Sequence, residues 1–180
     1  MMKKIVYFLL VAMASVAFCS CGDDEPKIDE NAFTVDGIRH DIAKVGLYYD
    51  EDADGYNILF VDNAAIDMSN RLKWEDLDGK CSDVLVGVSG SNLGNKITKP
   101  TNFYDPQNKW NMELGARNID ELHIWYGEDL MELKKIDFYV NYEGETLIAK
   151  ISAKCVKDGV TRSMSLTYKG MPFVSDELIY

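Results

Sequence analysis

Apolar and polar residues alternate in short runs along most of this chain, and turn-forming residues separate the runs. Residues 32–35 read as a strand, and Asp36-Gly37 is a two-residue hairpin signal. The partner strand is expected from Ile38 towards Tyr49, followed by the polar tip Asp50-Glu51-Asp52-Ala53-Asp54-Gly55 and a returning strand over 56–61. Residues 66–80 read either as a short helical turn or as an irregular crossing. Residues 84–88 form another apolar strand. The stretch 91–109, with Gly94, Pro100 and Pro106, reads as a long loop, and strands are expected over 110–114 and 121–126.

The last third is the most regular. Runs over 136–142, 145–156 and 160–168 are separated by Glu143-Gly144 and Asp158-Gly159, the pattern of an antiparallel meander. Within the middle run, Leu147, Ala149, Ile151, Ala153 and Cys155 share one face, while Lys150, Ser152 and Lys154 share the other. One face is therefore expected in a core and the other in water. No helical period of useful length follows residue 20. The expected fold is all-β, an antiparallel β-sandwich or meander, with a calycin-like closed β-barrel as the alternative.

The N-terminus departs from this pattern. Lys3 and Lys4 precede fourteen uncharged residues, 5–18, which suits a signal-peptide core but falls short of the about 20 residues a spanning helix needs. Phe18-Cys19-Ser20-Cys21-Gly22 follows. Ser20 is small and precedes Cys21, whereas the bulky Phe18 precedes Cys19, so Cys21 is the better acceptor for lipid. The segment resembles a bacterial lipobox, with Phe18 and Cys19 standing where Leu and a small residue are usual. That resemblance implies removal of residues 1–20 and acylation of Cys21, with residues 21–31 as tether and 32–180 as one all-β domain. Several acyl chains together anchor firmly, since each buried methylene contributes about 0.8 kcal/mol. Asp23, Asp24 and Glu25 resemble the acidic export tag of surface-exposed Bacteroidota lipoproteins, which implies an outer-membrane protein facing the cell exterior. Facing the periplasm is the alternative. The motif 33–37 and the ending Leu166-Thr167-Tyr168-Lys169-Gly170 are likewise similar to those of small Bacteroidota lipoproteins of unassigned function.

Charge narrows the partners. The whole chain carries a formal charge of −11. Removing residues 1–20 takes away Lys3 and Lys4 and no acid, which leaves 17 basic against 30 acidic residues, a charge of −13. That balance argues against nucleic acid and against adhesion to anionic lipid. Cys81 and Cys155 would then remain beside Cys21 in a compartment that permits disulfides, and are read either as one bond or as two buried thiols.

Candidate chemistry is sparse. Asp50-x-Asp52-x-Asp54-Gly55 spaces carboxylates as a calcium loop does, but Val61 occupies the twelfth position, where a bidentate Glu belongs. The competing reading is a hairpin tip made soluble by acids. His40 and His123 each fall in strand-like runs, and His123 alternates with Trp125 so that both share a face. No nucleophile elbow or phosphate-binding glycine motif is present, and catalysis is unsupported. Trp110 at the rim of the long loop, Trp125 and His123 are the candidate ligand-binding residues, since exposed aromatic rings stack on sugars, although most rings in β-domains fill cores. The expected role is non-catalytic binding or adaptation, with a glycan or envelope protein as partner; a small-ligand-binding or hydrolase-like barrel is the alternative.

Overall fold

The computed structural model describes residues 31–51, 54–69, 72–98, 112–117, 132–157 and 159–175. Cys21, Asp52, Trp110, His123 and Trp125 lie outside them, as does the expected strand over 121–126. Two sheets form the body. The first runs in the order β2-β1-β10-β9-β8-β6, where β1 is Ala32–Val35, β2 Ile38–Asp41, β6 Lys96–Ile97, β8 Glu132–Glu143, β9 Thr146–Lys157 and β10 Val160–Gly170. The second runs β11-β3-β4-β5-β7, where β3 is Lys44–Asp50, β4 Gly55–Val61, β5 Asp83–Ser89, β7 Met112–Arg117 and β11 Phe173–Ser175. Each sheet ends in two edge strands, so the molecule is an open sandwich and not the closed barrel held as the alternative.

The meander forms as its alternation requires. Leu147, Ala149, Ile151, Ala153 and Cys155 are all buried, and Lys150, Ser152 and Lys154 are all exposed. The expected strand from Ile38 to Tyr49 is instead two strands. The chain leaves the first sheet at Asp41, passes Ile42-Ala43 and enters the second at Lys44. At the opening turn, Asp36 (φ 49°) and Gly37 (φ 83°) take the left-handed conformations of a tight hairpin. The Asp36 carboxylate accepts the Ser163 N–H at 2.8 Å and pairs with the Arg162 guanidinium, which fastens this hairpin to β10.

A first core fills the space between the sheets, with Phe33, Leu166, Phe138, Ile58, Phe60 and Val86 among its members. Along β4, successive inward groups reach ever more distant strands of the first sheet. The Tyr56 ring meets Tyr142 on β8, Phe60 meets Tyr168 on β10, and Asp62, just past the strand, meets His40 on β2. The strands of the two sheets therefore cross steeply.

A second core lies on the opposite face of the second sheet. Tyr48, Leu59 and Val61 point there, covered by Ile66, Met68, Leu72, Leu77 and Cys81 from residues 62–82. That segment is a strap of turns around one short helix, α1 (Trp74–Leu77). Its polar backbone is met locally. Asn63 accepts the Ala65 N–H, Asp67 accepts the Ser69 N–H, and Asp76 reaches back to the Lys73 N–H at 2.9 Å, half of a capping box. Asp62 closes the strap: its N–H donates to the Ser82 carbonyl and its Oδ1 accepts the Ser82 N–H at 2.8 Å.

Cys81 belongs to this second core and Cys155 to the first, on opposite sides of the second sheet. They are two buried thiols, so the bond considered between them is not formed. Burial raises the Cys155 pKa above its ordinary value, only partly countered by Arg162.

Candidate functional site

The polar tip between β3 and β4 ends in a group of tyrosines. Tyr49 and Tyr56 are register partners across that hairpin, with ring centroids 5.1 Å apart and tilted by 56°. Tyr142 adds a third ring from the other sheet, 6.3 Å from Tyr56. All three sit where the inter-sheet core meets solvent, and Tyr49 is 42% exposed. The Tyr49 hydroxyl donates to Asp54 Oδ1 at 3.0 Å. That hydrogen bond, with the negative charge of Asp54 behind it, raises the Tyr49 pKa.

Two further turns complete this end of the sandwich. The carbonyl of Asp54 accepts the Gly90 N–H at 2.8 Å, which draws the 3-10 turn Gly90–Asn92 against the hairpin tip. Gly94 donates to the Val140 carbonyl at 2.7 Å, which sets the Asn141 amide beside it. A Cβ on Gly94 would lie 3.3 Å from the Asn141 Oδ1. Aromatic faces, hydroxyls, an amide and a carboxylate thus share one end of the molecule. Rings of this kind stack on the apolar faces of sugars while neighbouring polar groups take the hydroxyls.

Asp54 is the one member of the expected calcium triad whose side chain is described. It is itself the left-handed residue, at φ 45°, whereas Gly55 already belongs to β4. Gly55 is needed for another reason: a Cβ there would meet the Val88 carbonyl at 2.8 Å, so it permits β4 and β5 to approach. The described part of the loop is a β-hairpin turn with its carboxylate engaged by Tyr49. Among the described residues, no three His, Cys, Asp or Glu side chains gather as a metal site would require.

At the far end of β4 stands a histidine–carboxylate pair. His40 Nδ1 and Asp62 Oδ2 are 3.0 Å apart, and the imidazole stacks on Phe33 with an interplanar angle of 9°. Since Asp62 Oδ1 is held by Ser82, Nδ1–H is the natural donor to Oδ2, leaving a lone pair on Nε2. That atom is buried with no hydrogen-bond partner among the described residues. A base oriented by an acid is half of a nucleophile-activating array, but among the described residues no hydroxyl or thiol bonds Nε2 to complete it. Its structural work is plain: it ties the edge of the first sheet to the closure of the strap.

The tyrosine end was not singled out by the sequence reading, which ranked tryptophans first. Its signal was present all the same. Tyr49 and Tyr56 flank the tip 50–55 symmetrically, which makes them cross-strand partners if the tip is a hairpin, and Tyr142 directly precedes the Glu143-Gly144 turn. Comparison of the chain with models of known protein families, with curated proteins and with solved structures yields no match. No helix among the described residues is long and apolar enough to cross a membrane.

Proposed function

We propose that this chain is a lipid-anchored, surface-displayed binding protein that engages glycans through its tyrosine end and performs no catalysis of its own. The observation that carries the binding role is the run Tyr49-Tyr56-Tyr142, partly open to solvent, with the Asp54 carboxylate bound to Tyr49. Support for the anchor comes from the lipobox at Cys21 and the acidic residues behind it. The Asn31 side chain accepts the Lys169 N–H at 2.8 Å, so the last residue of the expected tether, 21–31, is fastened to β10. An envelope protein is the alternative partner for the same end.

Two measurements test the reading. Replacing Cys21 with Ala is expected to move the protein from the membrane to the soluble fraction; continued fractionation with membranes would sink the anchor. Screening the mature protein on a glycan array is expected to give ligands whose binding falls roughly tenfold in Tyr49→Ala, about the loss of one stacked ring. Binding that ignores Tyr49→Ala and Tyr56→Ala alike would remove the tyrosine end from consideration.

A further inference from the structure

The outer face of the first sheet runs against the charge of the chain. Arg39, Lys96, Lys135, Lys150, Lys154 and Lys169 all point outward from it and are exposed. Three acids with described side chains share that face, Asp41, Asp137 and, at the end of β8 away from Lys154, Glu143. Asp41 is taken by Arg39 at 2.7 Å, and Asp137 lies between Lys96 and Lys135. Lys150, Lys154 and Lys169 have no acidic partner among the described residues. Across the molecule the strap has the opposite balance, with Asp62, Asp67, Glu75, Asp76 and Asp78 against Lys73 and Lys80 among its described residues. A protein with a net charge of −11 thus presents one cationic face.

That face also has a definite texture. Lys150 stands between Thr167 on β10 and Tyr139 on β8, and Lys154 between Ser163 and Lys135. Thr34 and Ser165 add a hydroxyl pair, their oxygens 2.6 Å apart. Lys150 and Lys154 are four residues apart on one strand, about 13 Å at the strand rise. The large exposed apolar side chains lie elsewhere, at Ile38, Tyr49, Val160, Met171, Phe173 and Val174.

We infer that the outer face of the six-stranded sheet binds an anionic polysaccharide laid along β8, β9 and β10. Cations spaced along an extended strand, with hydroxyls between them, match carboxylate or sulfate groups repeating along a polymer of sugar rings. Ile148 and Val156 point outward here but are half-buried. None of the large exposed apolar side chains among the described residues, of the kind insertion into a bilayer requires, lies on this face. The net negative charge does not prevent such contact, because salt screens charges farther than about 8 Å and leaves the local surface to decide. The opposed charges of face and strap would also orient the molecule as it approaches a polyanion. The assignment names the ligand class within the glycan-binding reading above and rests on it, while using different residues.

The test is affinity electrophoresis of the mature chain through gels containing polygalacturonate, dextran sulfate or neutral dextran. Retardation is expected in the anionic gels and not in dextran, diminishing as salt is raised. Lys150→Glu and Lys154→Glu should each weaken it roughly tenfold, the effect of losing one charge-assisted contact. Lys80→Glu, on the strap, should leave it unchanged. Unaltered thermal unfolding midpoints would show that the exposed substitutions spare the fold. Equal retardation of wild type and both β9 variants would overturn the assignment, as would retardation by dextran itself. Binding of a neutral glycan through Tyr49, with no retardation by either polyanion, would leave the glycan reading standing and refute this one. Sedimentation with phosphatidylglycerol vesicles without retardation by polysaccharide would refute it in favour of lipid.

Discussion

The two sheets of this sandwich live in different surroundings. The five-stranded sheet is covered on both faces, by the inter-sheet core on one side and the strap on the other. The described residues cover the six-stranded sheet on one face only, and its other face is hydroxylated, cationic and wet. Their sequences carry the difference. β9 alternates buried with more open positions over 147–155, while β4 contains Ile58-Leu59-Phe60-Val61 without a break, and all four side chains are fully buried. A continuous apolar run in an antiparallel strand signals that something covers the second face. The doubly covered sheet is the structural half of the molecule. The open face and the tyrosine end are the surfaces proposed for binding.

The largest effects should come from emptying either core. Phe138→Ala in the inter-sheet core is expected to cost about 4 kcal/mol, and Leu59→Ala beneath the strap about 3 kcal/mol. Chemical denaturation reads both. Were Leu59→Ala to cost less than about 1 kcal/mol, the strap would not be the lid described, and the contrast between the sheets would fail. Asp62→Ala should follow at about 2 kcal/mol, because the part-buried Ser82 N–H loses its acceptor and His40 its carboxylate. Hydrogen exchange should then rise in the strap before the meander opens.

A smaller effect appears only in alkali. Burial raises the pKa of Tyr48 in the strap core and of Tyr168 in the inter-sheet core above the ordinary value of 10.0. An acid whose folded pKa is raised contributes stability that is full below its unfolded pKa and fades as pH climbs past it towards the folded value. Stability should therefore fall above pH 10.0. Tyr48→Phe, which loses only a weak 3.8 Å contact to the Met68 sulfur, should be nearly neutral at pH 7 and flatten the alkaline fall. A denaturation series over pH checks both arms.

What could be read from the sequence follows the same division. β1, the Asp36-Gly37 turn and the three long strands of the meander stand where expected, because strict alternation with tight turns leaves one register that buries the apolar set. The step from β2 to β3 was missed, since Ile42-Ala43 carries no turn residue while the chain changes sheets there. The strap was ambiguous between helix and crossing because its order comes from Asx turns and from packing on Leu59 and Val61, which no local period announces. The edge strands β6 and β11 are two and three residues long, too short for a pattern. Of the candidate site, Asp54 was singled out, but for calcium and not for its bond to Tyr49. His40 was noted, while Asp62 could become its partner only through the steep crossing of the sheets.

The contrast between the sheets is tested most directly by thiol reactivity. Ser152→Cys and Leu59→Cys place one cysteine on the outward side of each sheet, in a protein whose Cys81 and Cys155 are buried. Native protein treated with a thiol-reactive reagent should modify the cysteine at 152 within seconds and protect the one at 59 until the protein unfolds. Equal and rapid reaction at both positions would show the second sheet to be as open as the first, and would contradict the account.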